Sequence, residues 1–476
     1  MDPLILLSIG IAAVLGGILV LKMHPFLALT LAALLVAAFT PEEGIRNYAA
    51  SKELSEPAAQ KIVDQTIGRR VAAAFGGIAT KVGLAIALAA LIGKCLLESG
   101  AADRIVRSFL AGVGEKRAAL AFMLSGFLLG IPVFFDTVFF LMIPLVRTLC
   151  LRTGKNYGLY IMSVIAGGSI SHSLVPPTPG PLLVAGELNV QMGEMIIAGI
   201  VIGSIATLSG YAYARWHDTR FQLPLRETEE GQFEQLKKLA EKPLSELPGL
   251  FASLAPIVLP LIFITVQTVL SSPFGQKQFP HLDPVLLNTI RTLGDPIVAL
   301  TIATLIALAT LIHQKKTKLK ETMATLPPAL KDAGMIILIT SAGGAFGGIL
   351  QQTGIGPRLE GLSGGMTLAV LPLAWLITAV VRVAQGSATV AMITAVGIVG
   401  GMATDNLGFN PVYLAIAIGC GSKMLPWFND SGFWVICKMS GFTEKETLQT
   451  FTPLLSIMGI VGLIATMILA KLWPMI

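Results

Sequence analysis

Residues 169–180 read Ser-Ile-Ser-His-Ser-Leu-Val-Pro-Pro-Thr-Pro-Gly, and residues 421–432 read Gly-Ser-Lys-Met-Leu-Pro-Trp-Phe-Asn-Asp-Ser-Gly. Each stretch follows a run of apolar residues, 159–168 in the first case and 411–420 in the second. A helix is not expected to continue straight through either one, because proline lacks an amide hydrogen and clashes with the preceding turn. Within a bilayer such a break is tolerated only beside protein or a water-filled cavity. Matching breaks in two halves of a membrane protein therefore indicate a binding region.

The composition is that of an integral membrane protein. The chain of 476 residues is 54% hydrophobic and 13% charged, with a mean hydropathy of +0.76. Soluble domains carry roughly 25% charged residues. The net charge of +6 comes from loop Lys and Arg and does not indicate nucleic-acid binding, and the four Cys have neither metal-site nor disulfide spacing. The first apolar run, 4–21, lacks a basic leader, so we expect a retained span.

Apolar segments long enough to cross a membrane predict the topology. A spanning helix needs about 20 residues. Unbroken spans are predicted at 4–21, 25–40, 76–98, 194–214, 250–271, 296–313, 333–352 and 450–473. The interrupted segments, 158–188 and 411–438, add two broken spans, which makes about ten crossings.

Two further apolar stretches, 118–149 and 367–401, are too long for one crossing and too short for two. Each has a polar or small break near its middle, Phe-Asp-Thr at 135–137 and Gln-Gly-Ser-Ala-Thr at 385–389. We interpret both as re-entrant helical hairpins, and a tilted or kinked pair of spans is the alternative. The predicted fold class is thus an all-α membrane protein.

The two halves repeat the same order of segments. Residues 1–215 and 250–476 each contain three spans, a hairpin, a broken span and a final span, and a linker at 216–249 joins them. Five crossings per half place the second half upside down, which is the inverted-repeat plan of secondary transporters. Lys and Arg are richer in the loops on the side of the linker, so that side is predicted to be cytoplasmic. Both termini are then periplasmic.

Four motifs resemble one known family along nearly the whole chain. They are Gly-Ile-Pro-Val-Phe-Phe-Asp at 130–136, Pro-Pro-Thr-Pro-Gly-Pro at 176–181, Arg-Val-Ala-Gln-Gly-Ser-Ala-Thr-Val-Ala-Met at 382–392 and Asn-Asp-Ser-Gly-Phe-Trp at 429–434. In this order they resemble the gluconate permease (gluconate:H+ symporter) family. The resemblance implies a place in the wider ion-transporter superfamily, a bacterial-type cytoplasmic (inner) membrane location, a homodimer, and an elevator mechanism in which a transport domain moves against a scaffold.

The chain differs from that family pattern within the predicted binding region. Many members have Glu at the position of Asp136 and His at that of Thr178. Many also have Ser-His at the positions of Pro426 and Trp427, and no Lys at that of Lys423. The resemblance therefore implies a small hydroxy-carboxylate as substrate, with gluconate, glycerate and D-serine as alternatives.

Arg382 is the first candidate for binding the substrate carboxylate. Its guanidinium is a rigid fork that matches a carboxylate, and an ionisable group within a membrane segment usually faces a cavity or a partner. The alternative is an internal ion pair with Asp136 or Asp430. Helix N-termini at the hairpin tips, including Gly386, also suit an anion. Substrate hydroxyls need donors and acceptors, and the candidates are Thr137, Ser171, Thr178, Ser387, Thr389, Ser422 and Asn429. Each could instead bond to its own helix.

Coupling to an ion gradient requires a group that changes protonation or binds a cation. His172, Asp136 and Asp430 are the proton-coupling candidates. Sodium coupling through backbone carbonyls and Asp or Asn remains open. No cofactor is expected. Lys423 is either a substrate contact or, in the interpretation we favour, a counter-ion to Asp430.

Other functional classes fit the sequence less well. An intramembrane enzyme would need a metal set or a nucleophile–base pair, and the five His lack HExxH spacing. A channel would not require two opposed hairpins between broken helices, and the Gly-rich ATP-binding loop is missing from the sequence. The sequence predicts proton-coupled uptake of a hydroxy-carboxylate by alternating access.

Overall fold

A computed structural model describes residues 2–51, 54–226, 243–279, 283–355, 367–400 and 407–475 of the chain. All regular secondary structure in these ranges is helical. The helices of the first half are α1 (Pro3–Leu15), α2 (Pro25–Phe39), α3 (Glu42–Ser51), α4 (Glu56–Val63), α5 (Ile67–Glu98), α6 (Ala101–Val113), α7 (Ala118–Leu129), α8 (Phe135–Thr153), α9 (Tyr157–Leu174), α10 (Pro179–Glu187) and α11 (Met192–Arg220).

The helices of the second half are α12 (Leu250–Ser271), α13 (Pro273–Gln278), α14 (Pro284–Leu293), α15 (Pro296–Lys315), α16 (Leu319–Met323), α17 (Pro327–Gln351), α18 (Val370–Gln385), α19 (Ala388–Val399), α20 (Val412–Gly421), α21 (Ser431–Ser440) and α22 (Glu444–Leu472). Several begin with an Asp-Pro pair, as at Asp295, whose carboxylate accepts the backbone N–H groups of Ile297 and Val298. Asp is a favoured N-cap residue, and Pro at the first helical position costs no hydrogen bond.

Seven helices or pairs of consecutive helices in the described ranges are long and apolar enough to cross a membrane. They are Ile67–Glu98, Tyr157–Glu187, Met192–Arg220, Leu250–Ser271, Pro296–Lys315, Leu319–Gln351 and Glu444–Leu472. An eighth is possible if α2 and α3, which meet at 101°, form one span. The sequence predicted about ten crossings, and the difference arises because several apolar segments are divided into helices too short to cross alone, among them α1, α20 and α21.

The two interrupted stretches differ in the structure. In the first, α9 continues to Leu174 and only residues 175–178 separate it from α10. The helix persists because proline restricts mainly the residue before it, and the first proline stands at Pro176. In the second stretch, residues 422–430 lie outside helices between α20 and α21. The break in the first segment is therefore shorter than predicted.

The predicted hairpin segments are also divided. Residues 130–134 separate α7 from α8, and residues 386–387 separate α18 from α19. In each half, the first helix of the predicted hairpin packs on the first helix of the interrupted segment that follows it. These pairs are α7 with α9 and α18 with α20. The second helix of each predicted hairpin contacts the other half of the chain, α8 packing on α21 and α19 on α10. These contacts between halves bring the ends of the broken helices together.

Glycine permits the closest of these helix contacts. A Cβ atom on Gly167 in α9 would lie 2.0 Å from the carbonyl oxygen of Met123 in α7. Only a residue without a side chain allows two backbones to approach so closely, as is common in membrane helix packing. Gly167 thereby permits close packing of α9 against the middle of α7, the first helix of the first predicted hairpin.

The predicted linker, 216–249, begins later than expected because α11 extends to Arg220. Its residues 227–242 lie outside the described ranges. Arg226 is joined to α22 by two bonds to Glu446, of 2.6 and 2.8 Å, and donates to the Gly441 carbonyl at 3.1 Å. The guanidinium of Arg147 in α8 in turn donates to the Arg226 carbonyl. The start of the linker is thus attached to both halves.

Candidate functional site

A polar cavity of about 210 Å³ lies where the broken helices meet. The N-terminal ends of α8, α19 and α21 all border it. Free N–H groups at helix N-termini carry partial positive charge and favour an anion. The volume far exceeds what one water molecule needs. The cavity is lined by Phe134, Phe135, Asp136, Ser169, His172, Arg382, Gly386, Ser387, Ala388, Thr389, Lys423, Asp430, Ser431, Gly432, Phe451 and Leu455.

Arg382, on the last turn of α18, is the central cation of this cavity and is only 3% exposed. Its Nε donates to the carbonyl oxygen of Ser422 at 2.9 Å, and its Nη2 pairs with Oδ2 of Asp430. Its Nη1 is buried without a hydrogen-bond partner among the described residues. The internal pair with Asp430, one of the two alternatives for this arginine, is therefore present, and one donor remains for a ligand.

Asp430 also caps α21, since its Oδ1 accepts the N–H of Gly432 at 2.7 Å. A Cβ atom on Gly432 would lie 3.2 Å from this Oδ1 and 3.6 Å from Oδ1 of Asp136. The two carboxylates therefore face the same glycine, one from each half of the chain. Asp136 stands in the first turn of α8, where a negative charge is stabilised by the helix dipole.

Lys423 supplies the second cation and is 3% exposed. Its Nζ donates to the carbonyl oxygen of Ser169 in α9 at 2.7 Å. The favoured interpretation made Lys423 the counter-ion of Asp430, whereas the structure gives Asp430 to Arg382 and a backbone carbonyl to Lys423. The lysine thus connects the two interrupted segments.

His172 lies on the last turn of α9 and reaches the cavity wall. Its ring meets that of Phe134 edge to face, with 5.6 Å between the centroids. Its Nδ1 is buried without a hydrogen-bond partner in the described part of the chain, as is the hydroxyl of Ser169. These atoms and Nη1 of Arg382 leave unused hydrogen-bonding capacity at the cavity, which a polar ligand can use.

Gly386 and Ser387 form the tip between α18 and α19. Gly386 has φ +89°, and a Cβ atom there would lie 2.1 Å from the carbonyl oxygen of Asn429. Glycine is needed for both reasons. Ser387 caps α19 by accepting the N–H of Val390 at 3.3 Å. Thr389 follows in the first turn and lines the cavity.

The other predicted hydroxyl and amide contacts are not among the lining residues. Three hydroxyls bond within their own chain segment, from Ser171 to Gly167, from Thr178 to Val175 and from Ser422 to Gly419. The amide of Asn429 donates to the carbonyl oxygens of Val383 and Ala384, at the end of α18. Thr137 lies one residue beyond Asp136 and is likewise outside the lining set.

Several lining residues were not singled out from the sequence. Ser169 and Ser431 belong to the interrupted stretches, whose polar content was the available signal. Phe451 and Leu455 come from α22, four residues apart on one helix face. Nothing in that apolar helix distinguishes a cavity-facing residue from a lipid-facing one. Among the described residues, no group of three or more His, Cys, Asp or Glu is arranged to hold a metal ion.

An all-helical chain with several membrane spans and a polar cavity among broken helices has the architecture of a membrane transporter. The family model described as GntP family permease matches residues 2–472, and the chain belongs to this family. It is therefore a multi-pass permease of the inner membrane and not an enzyme.

Curated relatives resemble the chain along most of its length. It is 32% identical to a gluconate permease of Pseudomonas aeruginosa over 453 residues, covering 94% of this chain and 93% of the relative. It is 33% identical to an uncharacterized permease of Haemophilus influenzae over 418 residues, covering 86% and 84% of the two chains. The solved structure of the YdaH transporter of Alcanivorax borkumensis matches with a TM-score of 0.61 at 14% identity, covering 84% of this chain and 88% of that one. This last similarity concerns the fold alone.

Proposed function

We propose that this permease is a secondary active transporter that carries a small hydroxy-carboxylate of the gluconate type into the cytoplasm with protons. The observation that carries the proposal is the unused Nη1 of buried Arg382, beside the N-termini of α8, α19 and α21 in one cavity. These groups together are complementary to a carboxylate. The relatives of 29–33% identity that are named gluconate permeases support the same substrate class.

The substrate carboxylate binds Arg382 and the helix N-termini in this proposal. The hydroxyls of Ser387, Thr389 and Ser431, which border the cavity, serve the substrate hydroxyls as donors and acceptors. Gly386 lets the tip approach the 422–430 segment closely enough to close the site. Ser171, Thr178, Ser422, Asn429 and Thr137 then support the walls and do not contact the substrate.

In this proposal, proton coupling arises because Asp430 and the substrate carboxylate compete for the guanidinium of Arg382. When Asp430 is ionised, it holds Nη2 of the arginine. A proton on Asp430 neutralises this partner and leaves the guanidinium to a substrate carboxylate, so the proton and the anion bind together. Asp136 and His172 line the same cavity and pass the proton to or from Asp430.

The proposed architecture is an inverted repeat with two re-entrant hairpins that works by an elevator motion as a homodimer, with both termini periplasmic. The equivalent pairings α7–α9 and α18–α20, and the crossed pairings α8–α21 and α10–α19, support the repeat. Single cysteines added beside residue 2 and residue 475 test the orientation. A membrane-impermeant thiol reagent labels both in intact cells if both termini are periplasmic, and labelling only after lysis contradicts it.

Uptake into proteoliposomes tests the function. Purified protein is supplied with labelled gluconate, glycerate and D-serine, under an imposed pH gradient or an imposed sodium gradient. Accumulation driven by the pH gradient and abolished by a protonophore is expected. Accumulation driven only by sodium contradicts proton coupling, and failure to take up any hydroxy acid contradicts the substrate class.

Arg382→Lys gives a sharper test of the site, because lysine keeps the charge but loses the planar fork. We expect its apparent KM for gluconate to rise at least about tenfold. Arg69→Lys, an exposed position on α5, is the matched control. An unchanged KM for Arg382→Lys would remove this arginine from the binding site.

A further inference from the structure

A second polar pocket, of about 430 Å³, lies away from the central cavity. The helix α19 joins the two, since Thr389 in its first turn borders the cavity and Gly400 at its C-cap borders the pocket. The twelve residues of α19 span about 18 Å at 1.5 Å per residue. Both sites therefore lie along one helix of the proposed transport machinery.

Arg70 is the buried cation of this pocket, and only 6% of it is exposed. Its Nη2 donates to the carbonyl oxygen of Ala37 at 2.7 Å, and its Nη1 donates to Oε1 of Gln352 at 3.4 Å. Its Nε is buried without a hydrogen-bond partner in the described ranges, and both existing partners are neutral. A buried guanidinium that bonds to no carboxylate is costly, so an anion beside Arg70 is favoured.

The remaining polar groups of the pocket fit a hydroxylated anion. Lys81 adds a second cation, whose Nζ donates to the Gly186 carbonyl at 3.0 Å and to Oδ1 of Asn189 at 3.5 Å. Among the lining residues Glu187 is the acid, so two cations face one carboxylate. The amides of Gln65, Gln351 and Gln352 can each donate to and accept from hydroxyl groups.

Space for a ligand is available beside Gly77, which lines the pocket on α5. A Cβ atom added there meets no other atom within 4 Å. A larger side chain at this position would therefore extend into the pocket without displacing the backbone. Gly76, the preceding residue, also has open space around it but is not among the lining residues.

We propose that this pocket is a second binding site for a small polyhydroxy monocarboxylate, held by Arg70 and Lys81. The inference rests on the proposed function, because it takes the ligand class from the central cavity. Each chain would then hold two molecules of the same anion, one at each end of α19. The pocket would load the anion before or after its passage through the central cavity.

Equilibrium binding of labelled D-gluconate to the purified full-length protein in detergent tests this proposal. We expect two sites per chain in the unaltered protein. Gly77→Met, whose side chain extends into the pocket from a position where an added Cβ meets no other atom within 4 Å, is expected to bind one. Arg70→Gln is expected to weaken the second site at least about tenfold, because a hydrogen bond to a charged group is lost. The matched controls Gly76→Met and Arg69→Gln are expected to keep both sites.

Uptake by the same proteins after reconstitution into proteoliposomes separates this inference from the proposed function. One gluconate per chain in the transporting, unaltered protein overturns the second site and leaves the function intact. Unchanged two-site binding in both Gly77→Met and Arg70→Gln also overturns it. If the unaltered protein neither binds nor transports any hydroxy acid, the proposed function fails as well. Elution as a single species in size-exclusion chromatography shows that each variant is folded.

Discussion

The ion pair between Arg382 and Asp430 allows a prediction of how much folding stability is lost when either side chain is replaced. The two side chains are 3% and 9% exposed, so removing either one leaves the other as a buried charge. Such a loss typically costs about 3–5 kcal/mol. We therefore expect Arg382→Met and Asp430→Asn each to lower the free energy of unfolding by this amount.

The substitutions break the ion pair and keep the helix cap. Asn caps a helix as well as Asp does, so Asp430→Asn keeps the bond to the N–H of Gly432 through its amide oxygen. It replaces the Oδ2 acceptor that faces Arg382 with an uncharged amide NH2 group. Arg382→Met also loses the bond from Nε to the carbonyl oxygen of Ser422, and its loss is expected to be the larger of the two. The double variant leaves neither member of this pair as a lone charge, and its total loss is expected to be at least about 2 kcal/mol smaller than the sum of the single losses.

Denaturant titration in detergent micelles, with linear extrapolation to zero denaturant, measures the four free energies of the cycle. Arg69→Met makes the same chemical change at an exposed position and serves as the control. If the single losses add within about 0.5 kcal/mol in the double variant, the two side chains are not coupled. That result would refute the reasoning for the ion pair and, with it, the proposed competition between Asp430 and substrate.

Two further substitutions test the tip between α18 and α19 and the start of the linker. Gly386→Ala is expected to cost more than about 2 kcal/mol, because a non-glycine residue at φ +89° is strained and its Cβ meets the Asn429 carbonyl at 2.1 Å. Gly68→Ala, where open space surrounds the Cβ, is expected to be neutral or stabilising; equal unfolding midpoints for the two variants would contradict the argument. Arg226→Gln breaks two bonds to Glu446 but is expected to cost no more than about 1 kcal/mol, because Arg226 is 39% exposed. If Arg226→Gln lowered the free energy of unfolding as much as Arg382→Met does, the exposure of an ion pair would not determine how much stability it supplies.

The sequence was a good guide to where the cavity lies. Both predicted tips contribute to its walls, through Asp136 and Ser387, and both interrupted stretches contribute as well, through His172 and Asp430. These places could be predicted because proline, glycine and clustered polar residues are unfavourable within an apolar helix. In the first interrupted stretch only the position of the helix break differs from the prediction, because a helix can continue until close to its first proline and α9 ends at Leu174.

The individual contacts could not be predicted from the sequence. A Ser or Thr hydroxyl in an apolar helix can donate to a backbone carbonyl of the preceding turn or face a cavity, and the surrounding sequence looks the same in both cases. Ser171 bonds to its own helix, whereas Thr389 faces the cavity. The partner of Arg382 was equally open, because Asp136 and Asp430 are both acidic residues near a predicted break. Only the packing of α18 against the 422–430 segment selects Asp430.

The crossed contacts of the two halves set the order in which this protein can be built. The ribosome completes α8 and α10 well before it reaches their partners, α21 and α19. A first half made alone therefore lacks two of its packing surfaces and is expected to be degraded or to aggregate. Cutting the backbone after Arg226 severs none of these contacts. Two separately encoded halves, produced in the same cell, are accordingly expected to find each other and assemble into one working permease.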